Sequence, residues 1–498
     1  MNNKNRPNAL HRRQLLEAGA GALAAVATLD APAPLLAQQS GAAATNAAGR
    51  TLSDRLADFV AGFDLKRAPP EAIDRARAAF IDTIGVMLAG SREEVSRLAC
   101  DMVRAEGAAA AATVVGQSFR TSAQLAALAN GVAAHAMDYD FTYLSGQSVS
   151  PVIPAILPIA ETTGALPAEC LAAFIVGAGV AARLIRASPR ISNDGGWHTT
   201  GVVGAIAAAA ACARLMKLSP AETANAIGIS ASLASGIAVN YGTMTKPLHS
   251  GNAARSGVLA ASLASRGFTA QRTALEGAAG FFDTFDRGLD RSYAPFDDLG
   301  RRFDLVTIGY SIKAYPCGGR GHTAIEAALA LREKIGARLA EISAIECYLS
   351  RSSAQRVNSR YPDTIEAAKF SAAYVVAYSL VHGAPRIPAF TEQALKDERV
   401  KALAKLVTAS ADPALSDALG ESPARLKIVL KDGQTFEEQR DYATGSAKVP
   451  MTEAQLEEKF NDCAAQAMAP EPAKNILAIL NTLADRRSLS DLWPLLRS

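Results

Sequence analysis

The chain has 498 residues, too many for one ordinary hydrophobic core, so its length sets an expectation of about two domains. Hydrophobic residues make up 49% and charged residues 20%, the composition of a soluble globular protein. Aromatics are only 6%, whereas alanine is abundant, which favours closely packed helices over a large β-sandwich. The net charge of +3 is small for this length, and no basic stripe interleaved with aromatics occurs, so nucleic acid is not an expected partner.

The first segment is a targeting signal by its pattern. His11-Arg12-Arg13-Gln14-Leu15-Leu16 precedes a mild apolar stretch from Ala18 to Leu29 and an Ala-Pro-rich run to Ala37. A basic region, a short apolar region and a small residue at the cleavage point describe a signal peptide over 1–37, and paired arginines followed by two leucines point to twin-arginine export to the periplasm. The apolar stretch is too short and alanine-rich to give a stable membrane anchor. Residues 38–51 read as a linker.

From 52 to 309 the pattern is helix after helix. Pro69-Pro70-Glu71 starts one that runs to a stop at Gly90, with proline in the first turn. Alanine-rich helices follow at 122–137, 151–163, 167–187, 200–216, 219–234 and 252–266, apolar on nearly every face and therefore buried on several sides. Neither GxGxxG after a strand nor GxxxxGK[ST] occurs, so no nucleotide cofactor is expected. Between 310 and 448 short β-branched runs (VTIGYSI, AIECYLS, LKIVLKDGQTF with an Asp432-Gly433 turn) alternate with helices at 321–336 and 364–382. From 449 to 498 the pattern is helical again, opened by a Thr452…Gln455 capping box. The fold class is α+β: a large all-α domain, completed by the C-terminal helices, and a smaller α/β lid domain.

Six cysteines lie far apart with neither CxxC nor zinc-finger spacing, and the six histidines show no HxH or HxxxH. No metal site is expected. Four segments are more polar than their surroundings: 135–142, 197–200, 243–254 and 313–322. Thr199 or Thr200 is a good N-cap, which sets His198 at the positive end of a helix, where a carboxylate is stabilised and a histidine is kept neutral. Ser250 caps a helix beginning near Gly251, with Lys246 and His249 on the approach and Pro247 holding an extended backbone at the lysine. Two lysines, Arg320 and helix N-termini suit a ligand with two or three carboxylates, and Asp138 is a candidate proton carrier. His135 reads as a core histidine and Asp140 as a possible cap of the next turn. Cys317 needs an activating base to serve as a nucleophile.

In order and spacing, AFIDTIGVMLAG, AAHAMDYDFT, HTTGVVGAIAAAAACARLMKLS, TKPLHSGNAARSG and KAYPCGGRGH resemble the MmgE/PrpD family, which contains 2-methylcitrate dehydratase, cis-aconitate decarboxylase and iminodisuccinate epimerase. The resemblance runs from about 52 to 490. It implies a site between a helical domain and a lid, no metal or organic cofactor, and homodimers. It places Asp138 and Thr142 in a D-[FY]-D-D-T motif, matches His198 and Lys246 to an active-site histidine and lysine, and matches Lys313 to a substrate-side lysine of the lid. Two departures stand out. Phe141 replaces the motif's third acidic residue, and Gln147-Ser148 stands where a histidine precedes the P-V-L-P-A run.

These readings assign Asp138, His198 and Lys246 to catalysis, and Thr142, Gln147, His249, Lys313 and Cys317 to binding the substrate. The expected activity is a lyase, a hydro-lyase or decarboxylase, acting on a small polycarboxylate. The alternatives are an epimerase of the same family and an exported polycarboxylate-binding pseudoenzyme.

Overall fold

The computed structural model describes residues 49–144, 146–188, 191, 195–286, 291–357, 360–418 and 421–497. The signal peptide and most of the linker expected from the sequence lie outside the described residues.

Helices Leu52–Gly62, Pro70–Gly90, Ala123–Ala136, Val152–Thr163, Pro167–Ala187, Thr199–Leu215, Pro220–Leu233 and Thr245–Ala264 share one hydrophobic core. At its centre lies Thr199–Leu215, buried without interruption from Thr199 to Ala213. Alanine makes this possible: a methyl side chain lets neighbouring helices approach on every side. Pro167–Ala187 is long and apolar enough to cross a membrane by composition, but 83% of its apolar window is buried in this core. A close crossing sets up the site. Gly131 of Ala123–Ala136 lies against Gly251 of Thr245–Ala264, and a Cβ on Gly251 would stand 2.5 Å from the Leu128 carbonyl oxygen. His135, one turn beyond Gly131, is thereby brought beside His249 and Lys246.

The second core runs from Ala314 to Leu430. A four-stranded sheet supports it in the order Val407–Ala411, Ile342–Leu349, Ala424–Leu430, Thr435–Arg440. The first pair is parallel and the other two are antiparallel, and Gly433 turns the final hairpin at φ 84°. Helices His322–Ile335 and Ala372–His382 cover the sheet. The fold is thus a large helical domain with a smaller α/β domain. The helices Glu453–Ala464 and Pro470–Asn481 return to Pro70–Gly90, the first opened by the Thr452–Gln455 capping box.

Four local expectations are corrected. Helix Thr245–Ala264 begins seven residues before the expected 252, so Lys246, His249 and Ser250 lie within it and the lysine backbone is not extended. Pro247 is third in the helix, where its missing N–H has no partner to lose. Gly90 is the last helical residue rather than the one beyond the end, and its bare Cα faces the Ala133 carbonyl. VTIGYSI forms a strand only at Tyr310–Ser311, while the expected helix 364–382 is broken into Ile365–Ala368 and Ala372–His382 around Lys369.

Candidate active site

A cavity of about 810 Å³ lies between the two cores. Asp138, Gln147, His198 and Lys246 line it from the helical side, with Lys313 and Arg320 opposite. A short antiparallel pair, Thr142–Tyr143 with Tyr310–Ser311, stitches the sides together and brings Lys313 over Asp138.

Asp138 is the electrostatic centre. Helix Ala123–Ala136 ends just before it, and the backbone turns left-handed at Asp138 with φ 52°. Its Oδ1 accepts from Lys246 Nζ at 2.6 Å and from Gln147 Nε2 at 2.8 Å, and its Oδ2 lies 2.9 Å from Lys313 Nζ. Burial alone would raise the carboxyl pKa, but Lys246 and Lys313 hold it well below the usual carboxylate range. Two ammonium groups on one carboxylate leave a net positive charge for an anionic ligand. The same pairing opposes a divalent cation. Ligating atoms of His135, Asp138 and Asp140 lie within 4.8 Å of one another, but a metal there would have to displace both lysines from Asp138.

Histidines form the second layer. His198 is itself the N-cap of Thr199–Leu215, one residue earlier than expected, and its amide donates to the Gly236 carbonyl at 2.9 Å. Burial, the His135 ring beside it, Lys246 and His249 push its pKa well below the ordinary value, so the imidazole is neutral. Its Nδ1 shares a hydrogen bond with His249 Nδ1 at 3.0 Å, which leaves Nε2 for exchange with a ligand. His249 sits beneath Gly236, where φ is 126° and a Cβ would press on the imidazole at 3.1 Å. His135 stacks on His198 at a centroid distance of 5.4 Å. Its Nδ1 lies 3.0 Å from both Asp140 oxygens, while its buried Nε2 has no partner. Asp140 therefore has a side-chain partner in His135, and His135 is a core histidine with one unsatisfied nitrogen.

Thr142 lines the cavity as well. Cys317 does not: it is 1% exposed, burial raises its thiol to about 12, and its carbonyl faces His322 Nε2 at 3.3 Å. An uncharged buried thiol has neither the access nor the ionisation that nucleophilic attack requires. Phe141 is 1% exposed and packs on Phe174 and Tyr310 at 6.1 and 5.0 Å, so the departure from the acidic motif supplies packing. Lys369 and Lys459 were not singled out from sequence. Each is a buried lysine whose partner carbonyl is more than two hundred residues away.

Models of the MmgE/PrpD N-terminal and C-terminal domains match residues 54–294 and 315–485. The chain belongs to the MmgE/PrpD family. Among curated relatives of this family member, cis-aconitate decarboxylase from Homo sapiens is 28% identical over 464 residues, covering 90% of this chain and 95% of its own length. The Mus musculus protein of that name is 28% identical over 459 residues, with coverage of 90% and 94%. Cis-aconitate decarboxylase from Aspergillus terreus is 28% identical over 457 residues, with coverage of 86% and 91%.

Proposed function

We propose that the protein is a cofactor-independent lyase acting on a small di- or tricarboxylic acid of the aconitate or 2-methylcitrate type. The observation that carries this reading is Asp138, ionised and shared between Lys246 and Lys313 inside a cavity large enough for such an acid. Dehydration and decarboxylation make one common demand. In the first, a base removes a proton beside a carboxylate and water departs. In the second, carbon dioxide departs and its bonding electrons pass through a neighbouring double bond before carbon is protonated. Both build negative charge onto a substrate carboxylate, where two buried ammonium groups stabilise it strongly.

Within this reading His198 is the general base, because it is neutral while Asp138 is too weakly basic in its ion-paired state. Lys246 supplies the positive charge at the reacting end, and Lys313 with Thr142 orients a second carboxylate. The names of the relatives support decarboxylation, and the neutral His198 supports proton removal. NMR of the chain from residue 38 with cis-aconitate or 2-methylcitrate in deuterated water separates the two. Carbon dioxide lost from cis-aconitate with solvent deuterium on the carbon that is protonated, or water lost from 2-methylcitrate, is the expected result.

Gln147 supports a second reading, a binder without turnover, because an amide hydrogen-bonds Asp138 but exchanges no proton near neutral pH. Stabilisation by the same acids with neither carbon dioxide nor water lost and no deuterium entering any of them would sink the lyase and leave the binder. We also propose that residues 1–37 direct the folded chain to the periplasm and that it works as a homodimer.

A further inference from the structure

Three lysines converge on the turn that carries Asp138. Lys369 Nζ donates to the Ala136 carbonyl at 3.2 Å, Lys313 Nζ to the Asp138 carbonyl at 2.5 Å, and Lys459 Nζ to the Tyr139 carbonyl at 2.9 Å. They come from three parts of the chain: the break between Ile365–Ala368 and Ala372–His382, the segment after Tyr310–Ser311, and the returning helix Glu453–Ala464. All three are buried. Such convergence has a local reason. The last carbonyls of Ala123–Ala136 have no intrahelical partner and sit at the negative end of the helix dipole.

The contacts also determine where the Asp138 side chain points. Lys313 Nζ holds both the backbone carbonyl and Oδ2 of Asp138, a chelate that fixes side chain against main chain. On the far side of the turn, Lys459 lies 3.9 Å from the Tyr139 ring centroid and pairs with Asp82 at 2.5 Å. The Tyr139 hydroxyl donates to the Ala314 carbonyl at 3.1 Å, next to Lys313. The circuit therefore closes from turn to lid and back. Lys459 and Lys369 do not line the cavity, so neither is placed to touch a ligand.

We propose that Lys369, Lys459 and Tyr139 are positioning residues that hold the left-handed turn at Asp138 and so set its carboxylate between Lys246 and Lys313. This rests on the reading of the cavity as a lyase site. Once the turn slackens, the carboxylate leaves one of its two lysines and the charge arrangement is lost, although every cavity residue remains.

Replacing Lys459 alone would strand the buried Asp82, so the informative variants remove charges in pairs. Lys459→Met with Asp82→Asn deletes the grip on Tyr139, and Lys369→Met with Glu93→Gln deletes the grip on Ala136, Glu93 being the acid whose charge acts most strongly on Lys369. Each pair variant is expected to lower kcat about tenfold or more with KM within about threefold of the parent, and to move the acid limb of the kcat–pH profile, because small misplacements of reacting groups carry such penalties. In its crystal structure, Asp138 is expected to have left Lys246 or Lys313. A purely structural role would lower the melting temperature and leave kcat and the pH profile alone. Tyr139→Phe removes a single hydroxyl, decides the matter if a pair variant fails to fold, and is expected to lower kcat about threefold with KM unchanged. Parental kcat, pH profile and Asp138 geometry in the folded variants would overturn the proposal. Absence of turnover in the parent would instead overturn the lyase reading, and the crystal structures would still decide the clamp.

Discussion

His249 and His322 are buried histidines whose pKa values burial lowers to about 4 and about 3. An unfolded histidine titrates near 6.5, so below that pH the unfolded chain takes up protons that the folded one refuses. Stability therefore rises with pH from about 3 to about 6.5 and is then flat with respect to these groups. From the His322 shift, that residue alone makes the protein about 2 kcal/mol less stable at pH 5 than at pH 7. Denaturant titrations at the two pH values check this. His322→Gln keeps a donor for the Cys317 carbonyl but cannot titrate, and is expected to shrink the measured difference by about 2 kcal/mol, leaving the share of His249. Lys246 tests the site from the other side. Lys246→Met leaves Asp138 to Lys313 and Gln147 and removes the ammonium nearest the histidines, so turnover is expected to fall by at least about a thousandfold. A variant retaining parental kcat would remove Lys246 from the chemistry. The histidines were legible because their type is rare, and Lys246 because it stands in the polar run 243–254 of an alanine-rich domain. Lys369 and Lys459 were not, since a lysine in a helical run looks like a surface lysine until the fold brings a carbonyl from afar to meet it.

Element boundaries were readable where a side chain announces them. Pro167–Ala187 begins at its proline, and Thr452 caps Glu453–Ala464 through its hydroxyl as the Thr…Gln spacing requires. Reading failed where one residue type has two meanings. Lys246-Pro247 suggested extended chain, yet proline is equally at home in a first helical turn, and the fold takes that option to point Lys246 at Asp138. The strand Val407–Ala411 carries alternating polar residues at a sheet edge and went unrecognised. The contact of Ala123–Ala136 with Thr245–Ala264 gives the prediction at this scale. Gly251→Ala puts a methyl group 2.5 Å from a carbonyl oxygen on a backbone that cannot give way alone, so the two helices must separate. The expected cost is about 1–3 kcal/mol in chemical denaturation, together with lost turnover, because His135 and Lys246 ride on the separating helices. Gly62→Ala meets nothing within 4 Å and is the control.

At the scale of the whole molecule, the cysteines bear on where the protein folds. All six are free and buried, and burial raises the thiols of Cys100, Cys170, Cys317, Cys347 and Cys463 to between about 11 and about 12. A chain stabilised by disulfides would need an oxidising compartment to reach its native state, whereas this one packs its thiols as small apolar groups and is complete without oxidation. That is the requirement for twin-arginine export, which carries a protein already folded. Arg12→Lys with Arg13→Lys is therefore expected to leave the protein folded and competent in the cytoplasm, with the periplasmic fraction emptied. Fractionation with an immunoblot, and a melting curve of the retained protein with and without reductant, provide the check. Equal melting temperatures with and without reductant, in wild-type and retained protein alike, are the expected result. A retained variant that is unfolded, or one that gains stability only after oxidation, would show that the periplasm is needed to complete the fold and would count against export of a finished protein.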